Sequence, residues 1–434
     1  MLVYSVSITP RLQYVFNFIG KEIDKSIPQY TSSQDEFSKH NGIKINYSGQ
    51  RITNGEIWIK PHSLLFEKGI QQQTVNCFDH NNYKAFFRTD GDIAFDIFSA
   101  SFYLLSRYEE YLPHQKDMCG RYDHTQSLAF RENFLNEPLV NYWLEDFRSA
   151  IKLRFPSSSI QHPAFSIIPT YDIDMAWSYL HKGWWRTAGG LFRSLIKGNM
   201  KEFSERMRVI RGKEKDPYDA YGWLNQLHER YKLKPYYFFL VPGKKGRYDK
   251  NISPAKPAMK ELIHDHVIRY PVGVHPSWRS GDEHALLRKE IETLAAITGS
   301  SVMASRQHYI RFTLPDTFRR LLETGIRFDF SMGYGGINGF RASVASPFYW
   351  YDLEKEQQTD LLLFPYCYME ANSFYEQHYG PEQALDEMRA YYNKVKSVNG
   401  MFIMIWHNSF LGTSKSFNGW RDVYEQFIRE AASS

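Results

Sequence analysis

The residues best suited to chemistry in this chain are Asp172 and Asp174, in the segment Thr170-Tyr171-Asp172-Ile173-Asp174. They follow an apolar run, Phe165-Ser166-Ile167-Ile168-Pro169, that reads as a short buried strand. Neighbouring residues of a strand face opposite ways, so two carboxylates two positions apart can share a face. Paired acids at a strand end can divide two jobs. One binds a metal while the other takes a proton from an attacking water. A loop with two solvated aspartates is the alternative.

Three further strand-like ends carry polar groups. Val267–Val274 leads into His275-Pro276-Ser277-Trp278, a second site is Ser305-Arg306-Gln307-His308, and Met401–Trp406 ends at His407. Function gathers at the C-terminal ends of strands in parallel α/β sheets and barrels. A lone strand-end histidine can equally be a hydrogen-bonded structural residue.

The order of these segments resembles that of the NodB-type polysaccharide deacetylases over about residues 160–430. Thr170–Asp174 resembles the family's Thr-Phe-Asp-Asp-Gly. Tyr236–Val241 is similar to its Thr-Phe-Phe strand, and His275-Pro276-Ser277 to the start of its His-(Ser/Thr)-x-x-His motif. The region around Arg306 resembles the arginine motif, Gly325–Gly333 the Gly-Tyr-x-Tyr-Asp-Ser-Ser segment, and Ile405-Trp406-His407 the final Leu-x-x-His. The likeness is strongest to a divergent, Bacteroidetes-like branch with Gly-x-His-Pro-Ser, Ser-Arg-Gln-His and Trp-His-Asn-Ser and an extra N-terminal module. Two departures stand out. Ile173 separates the aspartates, and the second histidine of the His-x-x-x-His pair is missing.

This resemblance implies an α/β fold, a distorted (β/α) barrel (161–434) with the motifs at one rim, preceded by a smaller α/β or α+β module of unknown function (1–160). It implies a metal-dependent hydrolase that removes acetyl groups from an amino-sugar or polysaccharide. The alternative is a catalytically inactive glycan-binding or assembly protein on the same fold. Asp174 and His275 would be two metal ligands and His308, moved to the next strand end, the third. The other reading of His308 is structural packing. Mixed N/O ligands suit zinc better than calcium or magnesium. Asp172 would be the general base, Arg306 its orienting partner and His407 the proton donor to the leaving group. Trp278, Asp329 and Arg341 are candidates on the substrate side, with architectural roles equally open for Asp329 and Arg341.

The elements that must position these groups can be read from the pattern. Lys256–His266 and Glu283–Ile297 read as helices between motif-bearing strands. In the N-terminal part, Val3–Ile8, Ile43–Tyr47 and Glu56–Ile59 alternate as strands do. Arg11–Ile23 has helical spacing of Leu12, Val15, Phe16 and Ile19. Asp96–Tyr111 predicts one helix, with Phe98, Phe102, Leu105 and Tyr108 buried, stopped by Pro113. Pro156-Ser157-Ser158-Ser159 marks a linker.

A net charge of +5 spread over 434 residues does not argue for nucleic acid. The exception to that spread is Trp184–Lys215, where Arg186, Arg193, Lys197 and Lys201 interleave with Trp184, Trp185, Phe192 and Ile196. This segment reads as a solvated helical face, or as a contact for an acidic glycan, a lipid-linked substrate or a membrane surface. The three cysteines are scattered and offer no metal spacing. The N-terminus lacks a basic start and long apolar core, and no run approaches transmembrane length, so a soluble cytoplasmic protein is expected.

Overall fold

The computed structural model describes residues 1–243 and 246–433. Its first 60 residues build a four-stranded parallel sheet from β1 (Leu2–Ser5), β2 (Gln29–Thr31), β3 (Lys44–Tyr47) and β4 (Ile57–Ile59), in the order β2-β1-β3-β4. The helix Pro10–Asp24 crosses over from β1 to β2. Thr9 caps it by accepting the N–H of Leu12, and Pro10 sits at the first turn, where its missing N–H costs nothing. Leu12, Val15, Phe16 and Ile19 are all fully buried, as their spacing requires. A hairpin of β5 (Phe78–His80) and β6 (Tyr83–Ala85) follows.

The expected Asp96–Tyr111 helix is shorter. It spans Ile97–Leu105, capped by the Asp96 carboxylate, and every one of its residues is buried. It ends because Arg107 adopts φ 53°, and a short 3-10 turn, Tyr108–Tyr111, takes over. That turn of the backbone directs the buried Arg107 guanidinium to Glu109 (2.8 Å) and Glu110 (2.8 Å).

The larger sheet has nine strands. They are β7 (Ser166–Ile173), β8 (Tyr236–Leu240), β9 (Val272–His275), β10 (Ala304–Ser305), β11 (Phe328–Asp329), β12 (Phe348–Asp352), β13 (Gln357–Leu363), β14 (Tyr368–Met369) and β15 (Met401–His407). The order is β12-β13-β11-β10-β9-β8-β7-β15-β14. All neighbours are parallel except β12 and β13. Helices connect the parallel strands, Pro257–Val267 leading into β9 and His284–Thr298 into β10. The expected distorted (β/α) barrel takes the form, among the described residues, of an open ladder. β12 and β14 are edges, and among the described residues no strand joins them. Parallel pairing still brings the C-terminal ends of β7, β8, β9, β10, β14 and β15 to one side of the sheet.

A single hydrophobic cluster runs from Val3 to Ile428 and draws on both sheets. Polar ties cross the same boundary. The Arg341 guanidinium meets Glu110 at 2.6 Å, Arg11 meets Glu356 at 2.5 Å, and the Tyr14 hydroxyl donates to the Tyr349 carbonyl at 2.7 Å. Among the described residues no helix is long and apolar enough to cross a membrane.

Candidate metal centre

Register explains how the motif residues meet. Asp172 of β7 pairs with His407 of β15 and Phe238 of β8, and Leu240 of β8 pairs with His275 of β9. Ser305 of β10 pairs with Val274, which carries Arg306 and His308 to the same rim. Asp174, His275 and His308 converge so that one ligand atom from each lies within 4.8 Å of the others. His275 Nε2 is 3.1 Å from Asp174 Oδ1, and His308 Nε2 is 3.4 Å from Asp174 Oδ2. A third imidazole, His407, places Nε2 3.6 Å from Asp174 Oδ2. These groups line a cleft of about 390 Å³ together with Tyr218, Tyr248 and Tyr309.

The other ring nitrogens are already committed. His275 Nδ1 lies 2.6 Å from the Arg306 carbonyl, and His308 Nδ1 lies 3.1 Å from Asp249 Oδ1. An imidazole that donates Nδ1–H presents a lone pair at Nε2. Two lone pairs then face the Asp174 carboxylate, whose Oδ1 is buried and makes no hydrogen bond despite the close His275 ring. Acceptors facing acceptors need a cation between them. An Asp-His-His set of this kind fits zinc or a similar divalent transition metal. Without one, the alternative cation is a proton. Burial opposes it on His308, but Asp174 and Asp249 prevail and push that histidine up to about 9. Burial likewise favours a neutral Asp174, and the surrounding imidazoles overcome this, holding the carboxyl well below its ordinary range.

The backbone at His308 is strained. Tyr309 and Ile310 both have positive φ, 59° and 55°, a conformation that is an outlier for a β-branched side chain. Arg121, from the N-terminal part, holds the turn by donating to the Tyr309 carbonyl at 3.2 Å.

Arg306 is fully buried and bonds Asp172 Oδ1 at 2.9 Å, Thr170 Oγ1 at 2.7 Å and the Phe330 carbonyl at 3.1 Å. Asp172 Oδ2 lies 3.9 Å from His275 Nε2, so it faces the same centre from the side. His407 donates Nδ1–H to Glu370 at 2.6 Å, and Glu370 also accepts the His407 backbone N–H at 2.7 Å. Burial lowers the His407 pKa, but Glu370, Asp174 and Asp172 together raise it to about 10.

The three substrate-side candidates lie elsewhere. Trp278 is half-buried and stacks on Tyr248, with ring centroids 4.0 Å apart, so it stands behind a cleft-lining ring. Asp329 is fully buried and accepts from Ser305 Oγ (2.7 Å), Ser331 Oγ (3.0 Å) and Ser331 N (2.8 Å). Arg341 is buried against Glu110 and the Gly333 carbonyl. Neither lines the cleft, and the polar groups of both are bonded to the protein itself.

Asp249 and Glu370 were not singled out by the sequence, yet each orients an imidazole of the site. Asp249 also accepts the Trp278 N–H at 2.9 Å, so its carboxylate is fixed. Partners of this kind typically change metal affinity by about 10–100-fold. Asp249→Asn is therefore expected to weaken zinc binding by about that factor, measured by competition with a chromogenic chelator. An unchanged affinity would mean His308 is not a ligand.

Behind β7 the alternation places Tyr171 on the opposite face from Asp172. Its hydroxyl meets buried His228 Nε2 at 2.7 Å, and His228 Nδ1 lies 3.2 Å from the Tyr270 hydroxyl. Burial, with a smaller contribution from His266, lowers His228 to about 3. Burial lowers His266 to about 4 against the opposing pull of the Leu262 carbonyl. Both are neutral when folded but bind a proton in the unfolded chain below about 6.5. Their stability is fully present above that pH and is lost as pH falls toward 4. The slope is about 1.4 kcal/mol per unit per histidine, so this pair should contribute a loss of about 4 kcal/mol between pH 7 and pH 5, partly offset in the metal-free protein by His308 and His407, whose raised values act with the opposite sign. Urea titrations check this, and His228→Gln should remove about half of the slope.

Comparison with known proteins gives partial matches. Residues 1–156 match a family of unknown function (DUF7033). No curated protein matches. Among solved structures, the chain is similar to a probable polysaccharide deacetylase from Pseudomonas aeruginosa PAO1, at 14% identity and a TM-score of 0.39, over 62% of this chain and 85% of that one. It is similar to the PuuE allantoinase at 13% identity and a TM-score of 0.39, over 62% and 84%. It is also similar to BA3943, a CE4 family pseudoenzyme from Bacillus anthracis, at 11% identity and a TM-score of 0.31, over 62% and 63%.

Proposed function

We propose that this protein is a metal-dependent hydrolase that removes an acetyl group from an amino-sugar or polysaccharide, with residues 161–434 carrying the chemistry and residues 1–160 buttressing the His308 turn. The observation that carries this reading is the convergence of two imidazole Nε2 atoms on one carboxylate, His275 at 3.1 Å from the partnerless buried Oδ1 of Asp174 and His308 at 3.4 Å from its Oδ2. Asp174, His275 and His308 would hold the ion. Bound there, a zinc ion would polarise an acyl carbonyl and make water more acidic.

The remaining steps belong to the chain's own groups. Asp172, free to accept at Oδ2 because Oδ1 is tied to Arg306, takes the proton from the attacking water. Arg306 orients that carboxylate through its bond at 2.9 Å. His407, held as an imidazolium by Glu370, delivers a proton from Nε2 to the departing sugar nitrogen or oxygen. Tyr248, stacked on Trp278, offers a flat face at the cleft for a sugar ring.

The test combines metal analysis with product release. After incubation with zinc and dialysis, about one ion per chain is expected, together with acetate release from acetylated amino-sugars that a chelator abolishes. One bound ion with no acetate from any acetylated sugar would favour a glycan-binding protein on the same framework. No bound ion would overturn the metal centre itself.

A further inference from the structure

The excursion that follows Asp174 takes no part in the chemistry above. It leaves the cleft at Met175 and returns at Tyr218, both of which line it. Buried Asp216 ties the two ends together by accepting the N–H groups of Ser178 (2.7 Å), Tyr179 (2.7 Å), Leu180 (3.0 Å) and Tyr218 (3.0 Å). Between these ends stand two helices, Trp184–Ile196 and Met200–Ile210, packed on each other. Arg206 of the second lies against Gly190 of the first. A Cβ at that position would be 1.7 Å from Arg206 Nη1, so the guanidinium lies directly over the glycine. The base of the excursion is tied by hydrogen bonds, and its outer helix is presented to the surroundings.

That outer helix buries one side chain, Ser194. Its apolar residues point outward. Trp184 is 66% exposed, Trp185 73%, Phe192 65%, Leu195 47% and Ile196 70%, and Met200 beyond the helix is 57% exposed. At 3.6 residues per turn these helical positions form one stripe, with Arg186, Arg193 and Lys197 on the other side. Monomeric proteins rarely leave a contiguous apolar stripe of this kind in water. From Met175 to Lys201 there is no Asp or Glu, while Lys182, Arg186, Arg193, Lys197 and Lys201 are all cationic. A second copy of the chain would bring two such cationic flanks together. A surface that is apolar just beneath an anionic skin suits both features.

We infer that the helix Trp184–Ile196 docks this protein on an anionic lipid bilayer, lying in the plane of the headgroups with Trp184, Trp185, Phe192 and Ile196 in the acyl boundary. Tryptophan favours that boundary because its ring is apolar and its N–H is polar. Basic residues beside the stripe gain from the negative surface potential. A surface helix of this composition lies on a membrane and does not span it. Because Asp216 anchors the excursion at the cleft rim, docking holds the cleft beside the membrane surface. This inference stands whether or not the cleft hydrolyses acetyl groups.

The experiment is co-sedimentation of the full chain with vesicles of phosphatidylcholine alone or with phosphatidylglycerol added. Binding is expected to the phosphatidylglycerol vesicles, weakening as salt is raised. The variant Phe192→Asp/Ile196→Asp should lose about 100-fold in vesicle affinity, since both side chains are exposed and their burial is what is lost. Arg186→Gln/Arg193→Gln/Lys197→Gln should lose about fivefold per cation removed. Circular dichroism and metal content should be unchanged in both variants. Failure of the wild-type chain to bind phosphatidylglycerol vesicles, or wild-type binding by Phe192→Asp/Ile196→Asp, overturns the inference. So does a dimer in light scattering that Phe192→Asp/Ile196→Asp converts to a monomer, because the stripe would then be covered by a second copy.

Discussion

Asp172→Asn should retain the bound zinc ion and lower acetate release by about 10²–10⁴-fold, the usual contribution of a general base. The reason lies in how the two carboxylates differ. Asp174 sits among three imidazoles and lacks any backbone or side-chain donor at Oδ1. Asp172 has one oxygen bound by Arg306 and the other 3.9 Å from the nearest imidazole nitrogen. An amide at position 172 keeps the shape and can still contact Arg306, but it cannot accept a proton from water. His275→Ala should behave in the opposite way, because it removes a direct ligand and metal is lost first. Zinc content and initial rates measured on the same preparations separate the two. Equal loss of metal in both variants would mean that Asp172 is a ligand. Full activity in Asp172→Asn would remove the proposed mechanism.

The site was legible in the sequence where a long apolar strand ends in a polar residue. β7 and β15 show this, each with a run of buried residues delivering Asp172 or His407 to the rim. It was not legible where a short element or a loop supplies the group. Glu370 follows a two-residue strand, and Asp249 lies in a loop without periodicity. Neither has a local pattern to announce it, because each is placed by the imidazole it serves. The same holds for the helix that stops at Leu105. Its apolar spacing continues through Tyr108, but the Arg107 backbone turns over to reach two glutamates, one of which pairs with a residue 231 positions away. Ladder closure is also invisible locally. Strand existence follows from period and composition, whereas which strands become edges, as β12 and β14 do among the described residues, is a property of the whole sheet.

That distant pairing gives the second large effect. Glu110→Ala should destabilise the protein by about 3–5 kcal/mol, because a buried charge pair broken from one side leaves the other charge without compensation. Glu110 accepts from Arg107 Nε at 2.8 Å and from Arg341 Nε at 2.8 Å and Nη2 at 2.6 Å, and all three side chains are buried. Removing the carboxylate strands the Arg341 guanidinium in the loop after β11 and leaves Arg107 with Glu109 alone. The pH dependence has a definite sign. Burial raises the Glu110 carboxyl, but the two arginines outweigh it and hold it at about 2, below its ordinary 4.5. Its contribution is therefore fully present above about 4.5 and is lost as pH falls from there toward 2. Urea midpoints at pH 7 should fall in Glu110→Ala, and the wild-type advantage should shrink as pH is lowered through that window. The loss should also reach the site. Arg341 bonds the Gly333 carbonyl, and Gly335, two residues on, packs against Arg121, which holds the Tyr309 turn beside His308. Zinc affinity in Glu110→Ala should fall even at temperatures where the chain is fully folded. An unchanged affinity would mean that the N-terminal part stabilises the fold without shaping the metal centre.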